Sequence, residues 1–132
     1  MSEPLLLLDT HSWMWNVADR SRLSTRARTE IDSAGELGVS AISPWEIAIK
    51  VGKGRLDLGA DVRTWVATAL AMPRTVLLPL LPEISLRSVE LRGIVGTDPA
   101  DAIIVATALT YGCALVTRDA RIRSSGIVRC IW

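Results

Sequence analysis

Four acidic residues in this sequence have the types and positions needed for metal-dependent chemistry. Asp9 ends the apolar run LLLLD, and Asp119 stands one residue beyond the run CALVT. Glu46 and Asp101 fall in the first turns of two predicted helices. A site built from carboxylate oxygens, without His or Cys ligands, selects Mg²⁺ or Mn²⁺. If the four side chains converge, the sequence predicts a Mg²⁺ or Mn²⁺ site.

Helix capping is the structural alternative for two of these acids. In SPWE, at 43–46, Ser43 is the expected cap and Glu46 the third helical residue, which is the spacing of a capping box. DPAD, at 98–101, has the same layout, with Asp98 as the cap and Asp101 third. Capping explains the spacing, whereas metal binding explains a convergence of acids. For Asp101 both interpretations stand, and Asp98 is expected to be mainly structural.

The other two acids can be caps as well. Asp119 is a candidate cap for the segment ARIRSSG, and either Asp9 or Thr10 can cap the helix after the first strand. A carboxylate that closes a run of four leucines needs a partner, however. Carboxylates crowded into one pocket repel one another and destabilise the fold unless a cation lies between them. The pattern therefore favours one shared site over four independent caps.

Short apolar runs alternate along the chain with segments of helical pattern. The runs at 5–9, 37–42, 75–80, 113–117 and 128–132 are predicted strands, and the segments between them are predicted helices. This alternation predicts an α/β fold, a three-layer α/β/α sandwich with a mainly parallel central sheet, as a single domain spanning residues 1–132. The third strand is expected near an edge, because Pro79 cannot donate to a ladder. In such a sheet, ligands collect at the carboxyl ends of the strands, where all four acids are expected.

Composition limits the classes of function. Of the 132 residues, 49% are hydrophobic and 22% charged, and the net charge is +1. There is no overall basic field to attract nucleic acid, so binding would depend on local patches or bound cations. No run approaches the roughly 20 apolar residues that cross a bilayer, and the first residues lack a basic signal-peptide region. Cys113 and Cys130 are expected to be small core residues in a reducing cytoplasm.

Four stretches together resemble the PIN domain of VapC-type toxins: LLDTHSWMW, SPWEIAIKVGKGRL, DPADAIIVATAL and LVTRDARI. The resemblance runs from Leu5 to Trp132. It implies an α/β/α nuclease that binds Mg²⁺ or Mn²⁺ and hydrolyses single-stranded regions of RNA. By position, the acids of the family fall on Asp9, Glu46, Asp101 and Asp119. The resemblance also implies a small antitoxin protein as partner and a homodimer.

Other residues have supporting roles in this interpretation. Thr10, Ser43, Asp98 and Thr117 could orient the carboxylates, although strand-end and capping roles are the alternative. Arg118, Arg121 and Arg123 could contact the phosphates of RNA, although a solvated surface is the alternative.

The segment 102–108 is apolar on all sides, which predicts a helix that is either central to the domain or part of a dimer interface.

Two other functions fit parts of the pattern. A signalling receiver domain is also an α/β/α fold with Mg²⁺ bound by acids at strand ends. It needs an Asp at the end of the third strand and a Lys at the end of the last, but these strands run into LLPLLPE and CIW. A catalytically silent interaction module would keep the acids only as caps. Binding of Mn²⁺ separates this last alternative from an enzyme.

Overall fold

The computed structural model describes residues 4–132. In this part of the chain the strands are β1 (Leu5–Leu8), β2 (Glu36–Ser40), β3 (Thr75–Leu78), β4 (Ala114–Val116) and β5 (Cys130–Ile131). The helices are α1 (Thr10–Ala18), α2 (Thr25–Ser33), α3 (Ile42–Gly52), α4 (Val62–Leu70), α5 (Pro82–Glu90), α6 (Pro99–Tyr111) and α7 (Ala120–Ser125). A short 3₁₀ turn at Arg20–Arg22 follows α1. The predicted alternation of strands and helices is confirmed.

All strand pairs of the sheet are parallel, in the order β3-β2-β1-β4-β5. β3 is an edge strand, as Pro79 predicted. The chain builds the sheet outward from β1 to β3 and then returns to add β4 and β5 on the other side of β1. The order therefore reverses between β1 and β4, which is where ligands bind in open parallel sheets. A receiver domain has the order 2-1-3-4-5, so the topology excludes that alternative.

Helices cover both faces of the sheet, which confirms the three-layer sandwich. Leu6 and Leu8 pack in a core cluster with Trp13 of α1, together with buried residues of α2 and α4. Leu7 points to the opposite face, where it joins a second cluster with buried residues of α5, α6 and α7. Successive side chains of a strand point to opposite faces. The run of four leucines is therefore apolar throughout because both faces of β1 are buried.

α6 lies inside the fold. Its buried residues occur on every side of the helix: Ala100, Ala102, Ile104, Val105, Ala106, Thr107 and Ala108. It packs against β4 and α3, and most extensively against α5. The segment 102–108 was predicted to lie either at the centre of the domain or in a dimer interface, and the structure shows it at the centre.

Two further features concern the environment of the protein. No helix among residues 4–132 is both long enough and apolar enough to cross a membrane. Cys113 and Cys130 are free thiols, each half-buried beside the second core cluster. Burial raises the pKa of both thiols, which makes them poor nucleophiles near neutral pH.

Candidate acidic active site

A cavity of about 370 Å³ opens at the carboxyl end of the sheet, beside the β1–β4 reversal. Five acidic side chains line it: Asp9, Glu46, Asp98, Asp101 and Asp119. The other lining residues are the basic side chains Lys50 and Arg118 and the rings of His11 and Trp15. All four acids predicted from the sequence are thus in one place. The excess of acid is local, since the whole chain carries a net charge of +1.

The first and last acids are fixed at the ends of the two strands that flank the reversal. Asp9 caps α1, because its Oδ1 accepts the amide of Ser12 at 2.8 Å. Its own amide donates to the carbonyl of Val116 in β4 at 3.1 Å. Asp119 caps α7, because its Oδ1 accepts the amide of Ile122 at 2.9 Å. Each carboxylate keeps a second oxygen that has no hydrogen bond within residues 4–132, so capping leaves a ligand oxygen available.

Thr117 holds the backbone that carries Asp119. It is fully buried, and its hydroxyl accepts the Asp119 amide at 3.1 Å. Thr117 therefore supports the site by holding the Asp119 backbone, and it does not contact the carboxylate itself.

The capping box predicted at Ser43 is wrong. α3 begins two residues earlier than predicted, at Ile42, with Ala41 in the N-cap position and no side-chain cap. Strand β2 ends at Ser40, whose hydroxyl accepts the Ile42 amide at 3.1 Å and so starts the helix before Ser43. Ser43 is instead a fully buried residue inside the first turn.

The side chains of Ser43, Thr10 and Glu46 form a hydrogen-bonded chain. The Thr10 hydroxyl donates to Oε1 of Glu46 at 2.5 Å and lies 2.8 Å from the Ser43 hydroxyl. A hydroxyl has a single proton to donate, so Ser43 is the donor to Thr10. The chain fixes Glu46 at the cavity wall. Burial raises the pKa of Glu46, while the Thr10 hydrogen bond and Lys50 oppose that shift.

The remaining two acids stand at the start of α6. Asp98 caps the helix, accepting the Ala100 amide at 2.9 Å, as predicted. Asp101 is half-buried and has neither a hydrogen bond nor a salt bridge within the described residues. Burial, and then repulsion from Asp98, Glu46, Asp119 and Asp9 in that order, raises the pKa of Asp101 to about 7. Asp101 is therefore the acid on which the crowding of the cavity acts most strongly.

The donor set suits a hard divalent cation, because every acidic group in the cavity offers oxygen and the Asp101 carboxylate has no partner among residues 4–132. In residues 4–132, however, no three His, Cys, Asp or Glu side chains are grouped closely enough to form a ready-made metal cage. Repelling carboxylates spread apart when nothing neutralises them. The residues thus fit a cation by chemistry, and their side chains must move together to enclose it.

Basic residues stand at the rim. Of the three arginines considered for contact with RNA, Arg118 lines the cavity, whereas Arg121 and Arg123 do not. The Arg121 side chain lies against Gly96, within 3.3 Å of where a Cβ would stand. Lys50, which was not among the residues predicted from the sequence, approaches His11 with its Nζ 3.3 Å from Nε2. Its position four residues after Glu46 was the available signal, since such residues share one face of a helix.

Comparison with known proteins agrees with the family resemblance of the four sequence motifs. The family model described as PIN domain matches residues 6–126. A relative in Mycobacterium tuberculosis (strain ATCC 25618 / H37Rv), Ribonuclease VapC22, is 39% identical over 119 residues, which cover 90% of each chain.

Solved structures share the fold at low sequence identity. A chain of the DNA-bound VapBC structure from Salmonella typhimurium has a TM-score of 0.68 at 18% identity, with 98% of this chain and 97% of that chain covered. A chain of a toxin-antitoxin complex from Klebsiella pneumoniae has a TM-score of 0.57 at 24% identity, with 86% and 85% covered.

Proposed function

The chain belongs to the PIN domain family, and on this premise we propose that it is a metal-dependent endoribonuclease. It would hydrolyse phosphodiester bonds in single-stranded regions of RNA as the toxin of a toxin–antitoxin pair. The observation that carries the proposal is the cavity in which four sequence-distant acids meet, in a chain 39% identical to a ribonuclease. We place its action in the cytoplasm, as one nuclease domain.

In this proposal Asp9, Glu46, Asp101 and Asp119 hold Mg²⁺ or Mn²⁺. The bound cation would supply Lewis-acid polarisation of the scissile phosphodiester and a more acidic water. Asp9 and Asp119 each present one oxygen from a capped helix start, so the backbone places both carboxylates at the cavity, from which they would close on the cation. Asp101 provides a carboxylate that no group among residues 4–132 satisfies.

Glu46 is the proposed general base. Its carboxylate stands at the cavity wall, where it can accept the proton of the attacking water. Thr10 and Ser43 act as positioning residues, because their hydrogen-bonded chain fixes the Glu46 carboxylate. Asp98 and Thr117 hold the backbone around Asp101 and Asp119.

The substrate phosphates would meet the cations at the rim. Arg118 and Lys50 line the cavity and can contact the phosphates next to the scissile bond. Arg121 and Arg123, exposed in α7, would contact RNA farther along the strand. A local patch of this kind is needed, because the net charge of +1 gives no long-range attraction.

A small antitoxin is the proposed protein partner, and a groove between α3 and α4 supports it. The groove has a volume of about 570 Å³ and is mainly apolar, with Trp45 at its edge 54% exposed. A basic channel with Lys53 and Arg55 adjoins Trp45, and it shares Glu46, Lys50 and Asp98 with the acidic cavity. A segment bound in the groove can therefore continue into the active site and block it.

The experiment that tests the ribonuclease proposal uses purified protein and a set of structured RNAs with single-stranded loops. We expect cleavage in the loops when Mg²⁺ or Mn²⁺ is present and none after chelation. The Asp9→Ala variant, prepared in parallel, should be inactive and excludes a contaminating nuclease. Failure to cut any RNA, together with failure to bind Mn²⁺, would instead support a silent interaction module.

We also propose that the protein is a homodimer. α6, one predicted location for the interface, is buried inside the fold, so the dimer needs another surface.

A further inference from the structure

His11 and Trp15 place two aromatic rings in the wall of the acidic cavity. They lie four positions apart in α1, so their side chains share one face of the helix. The two ring centroids are 5.5 Å apart with 33° between the ring planes, and the ring of Trp15 in turn lies 6.0 Å from that of Trp132. These separations are typical of aromatic rings in contact. The three rings therefore form a row that starts against the core and ends in the cavity.

His11 is the exposed end of this row. Trp15 and Trp132 are half-buried and pack against the core, whereas His11 is exposed. Lys50 approaches the imidazole at Nε2, which lies 3.3 Å from its Nζ. An ammonium group can only donate, so Nε2 accepts through its lone pair, which lies in the plane of the ring. The Lys50 contact therefore holds the imidazole at its edge and does not cover its faces.

A ring face in this cavity suits a ligand that carries both a flat ring and a phosphate, as a nucleotide does. Aromatic side chains stack on unpaired bases whatever the base, because every base has a π face. Lys50 and Arg118 line the same cavity and can contact the phosphate. The cavity volume of about 370 Å³ falls within the range of small-ligand sites, so the base and the phosphate of one nucleotide can be held together.

We propose that His11 is a substrate-binding residue that stacks on one unpaired base of the RNA, next to the scissile phosphate, and that Trp15 supports the imidazole on the side of the core. The inference rests on the proposed ribonuclease function and adds a base-binding subsite to it. A base that is paired in a helix is already stacked on its neighbours and must leave them to reach the ring. The subsite thus gives a physical reason for cleavage in single-stranded regions.

Two substitutions at His11 separate the ring from its hydrogen bond. His11→Phe keeps a flat ring and loses the contact with Lys50, whereas His11→Gln keeps an oxygen that can accept from Lys50 and loses the ring. Stacking predicts that His11→Gln lowers kcat/KM for RNA by about 10- to 100-fold, mainly through KM, and that His11→Phe lowers it by no more than about 3-fold. The matched control is Tyr111→Gln, which removes a 37% exposed ring at the opposite end of α6 from Asp101. Thermal melts verify that all three variants are folded.

Removal of the base from the substrate tests the contact itself. The substrate is a short single-stranded RNA with one cleavage site, in which an abasic residue replaces each nucleotide beside the scissile bond in turn. At one position the loss of the base should cost wild type about 10- to 100-fold in kcat/KM and cost His11→Gln almost nothing, because that variant has already lost the contact. Equal losses in both proteins at every position, or a His11→Phe variant as impaired as His11→Gln, would overturn the subsite but not the ribonuclease. A wild type that cuts no RNA would overturn both.

Discussion

Asp101→Asn is expected to lower RNA cleavage by about 100- to 1,000-fold, which is the range for removing one group that stabilises transition-state charge. The amide keeps the shape of the side chain but removes its negative charge, and with it most of its affinity for a divalent cation. Stability should not fall, because Asp101 makes no hydrogen bond or salt bridge in the described residues. The measurement is the initial rate of cleavage in Mn²⁺, with a thermal melt of the same preparation.

Asp61→Asn is the matched control for this variant. Asp61 caps α4, accepting the Thr64 amide at 3.1 Å, and it lies outside the acidic cavity. Asn caps helices about as well as Asp, so both activity and stability should stay near wild type. A cleavage rate in Asp101→Asn close to that of Asp61→Asn would show that Asp101 does not serve the reaction.

The second large effect is a loss of stability as pH rises in the absence of divalent cations. Burial and four neighbouring acids raise the pKa of Asp101 from 3.8 to about 7 in the folded protein. Between these values the folded state keeps a proton that the unfolded chain has released, so the free energy of unfolding falls as pH increases. We expect this group to cost about 1–2 kcal/mol above pH 7, after allowance for screening at a partly exposed site.

Denaturant unfolding of wild type and Asp101→Asn at several pH values isolates this contribution. The difference between the two proteins should be small near pH 4 and should favour the variant by about 1–2 kcal/mol near pH 8. Added Mn²⁺ should reverse the order at high pH, because only wild type gains the full binding energy. A difference that does not change with pH would mean that Asp101 titrates normally and that the cavity is not crowded.

Much of the fold can be predicted from local pattern. The four leucines of β1 indicated burial on both faces, and the uncharged run in α6 indicated an internal helix. Both features can be predicted locally, because a segment without polar side chains is stable only where no face of it is exposed to water. The pattern of α6 could not show whether another helix of the same chain or a second copy covers it. In the structure α5 covers α6. Because α5 has apolar residues on two sides, the sequence alone does not show which side packs against the domain.

The site shows the same limit at Ser43. SPWE has the spacing of a capping box, yet β2 ends at Ser40 and the Ser40 hydroxyl starts the helix at Ile42. Ser43 then turns inward to Thr10, which lies 33 positions away in the chain. Long-range contacts of this kind are invisible to local spacing. The convergence of Asp9 and Asp119 was predictable, because it needs only two parallel strands that end at the same edge.

Calorimetric titration of the RNA-free protein with Mn²⁺ at pH 7.5 tests most directly whether the acids of the cavity jointly hold a cation. We expect saturable binding to wild type that is lost or greatly weakened in both Asp9→Ala and Asp101→Asn, although these residues start different helices. Unchanged binding in either variant, or none in wild type, would contradict a shared site and leave these carboxylates as separate helix-start residues.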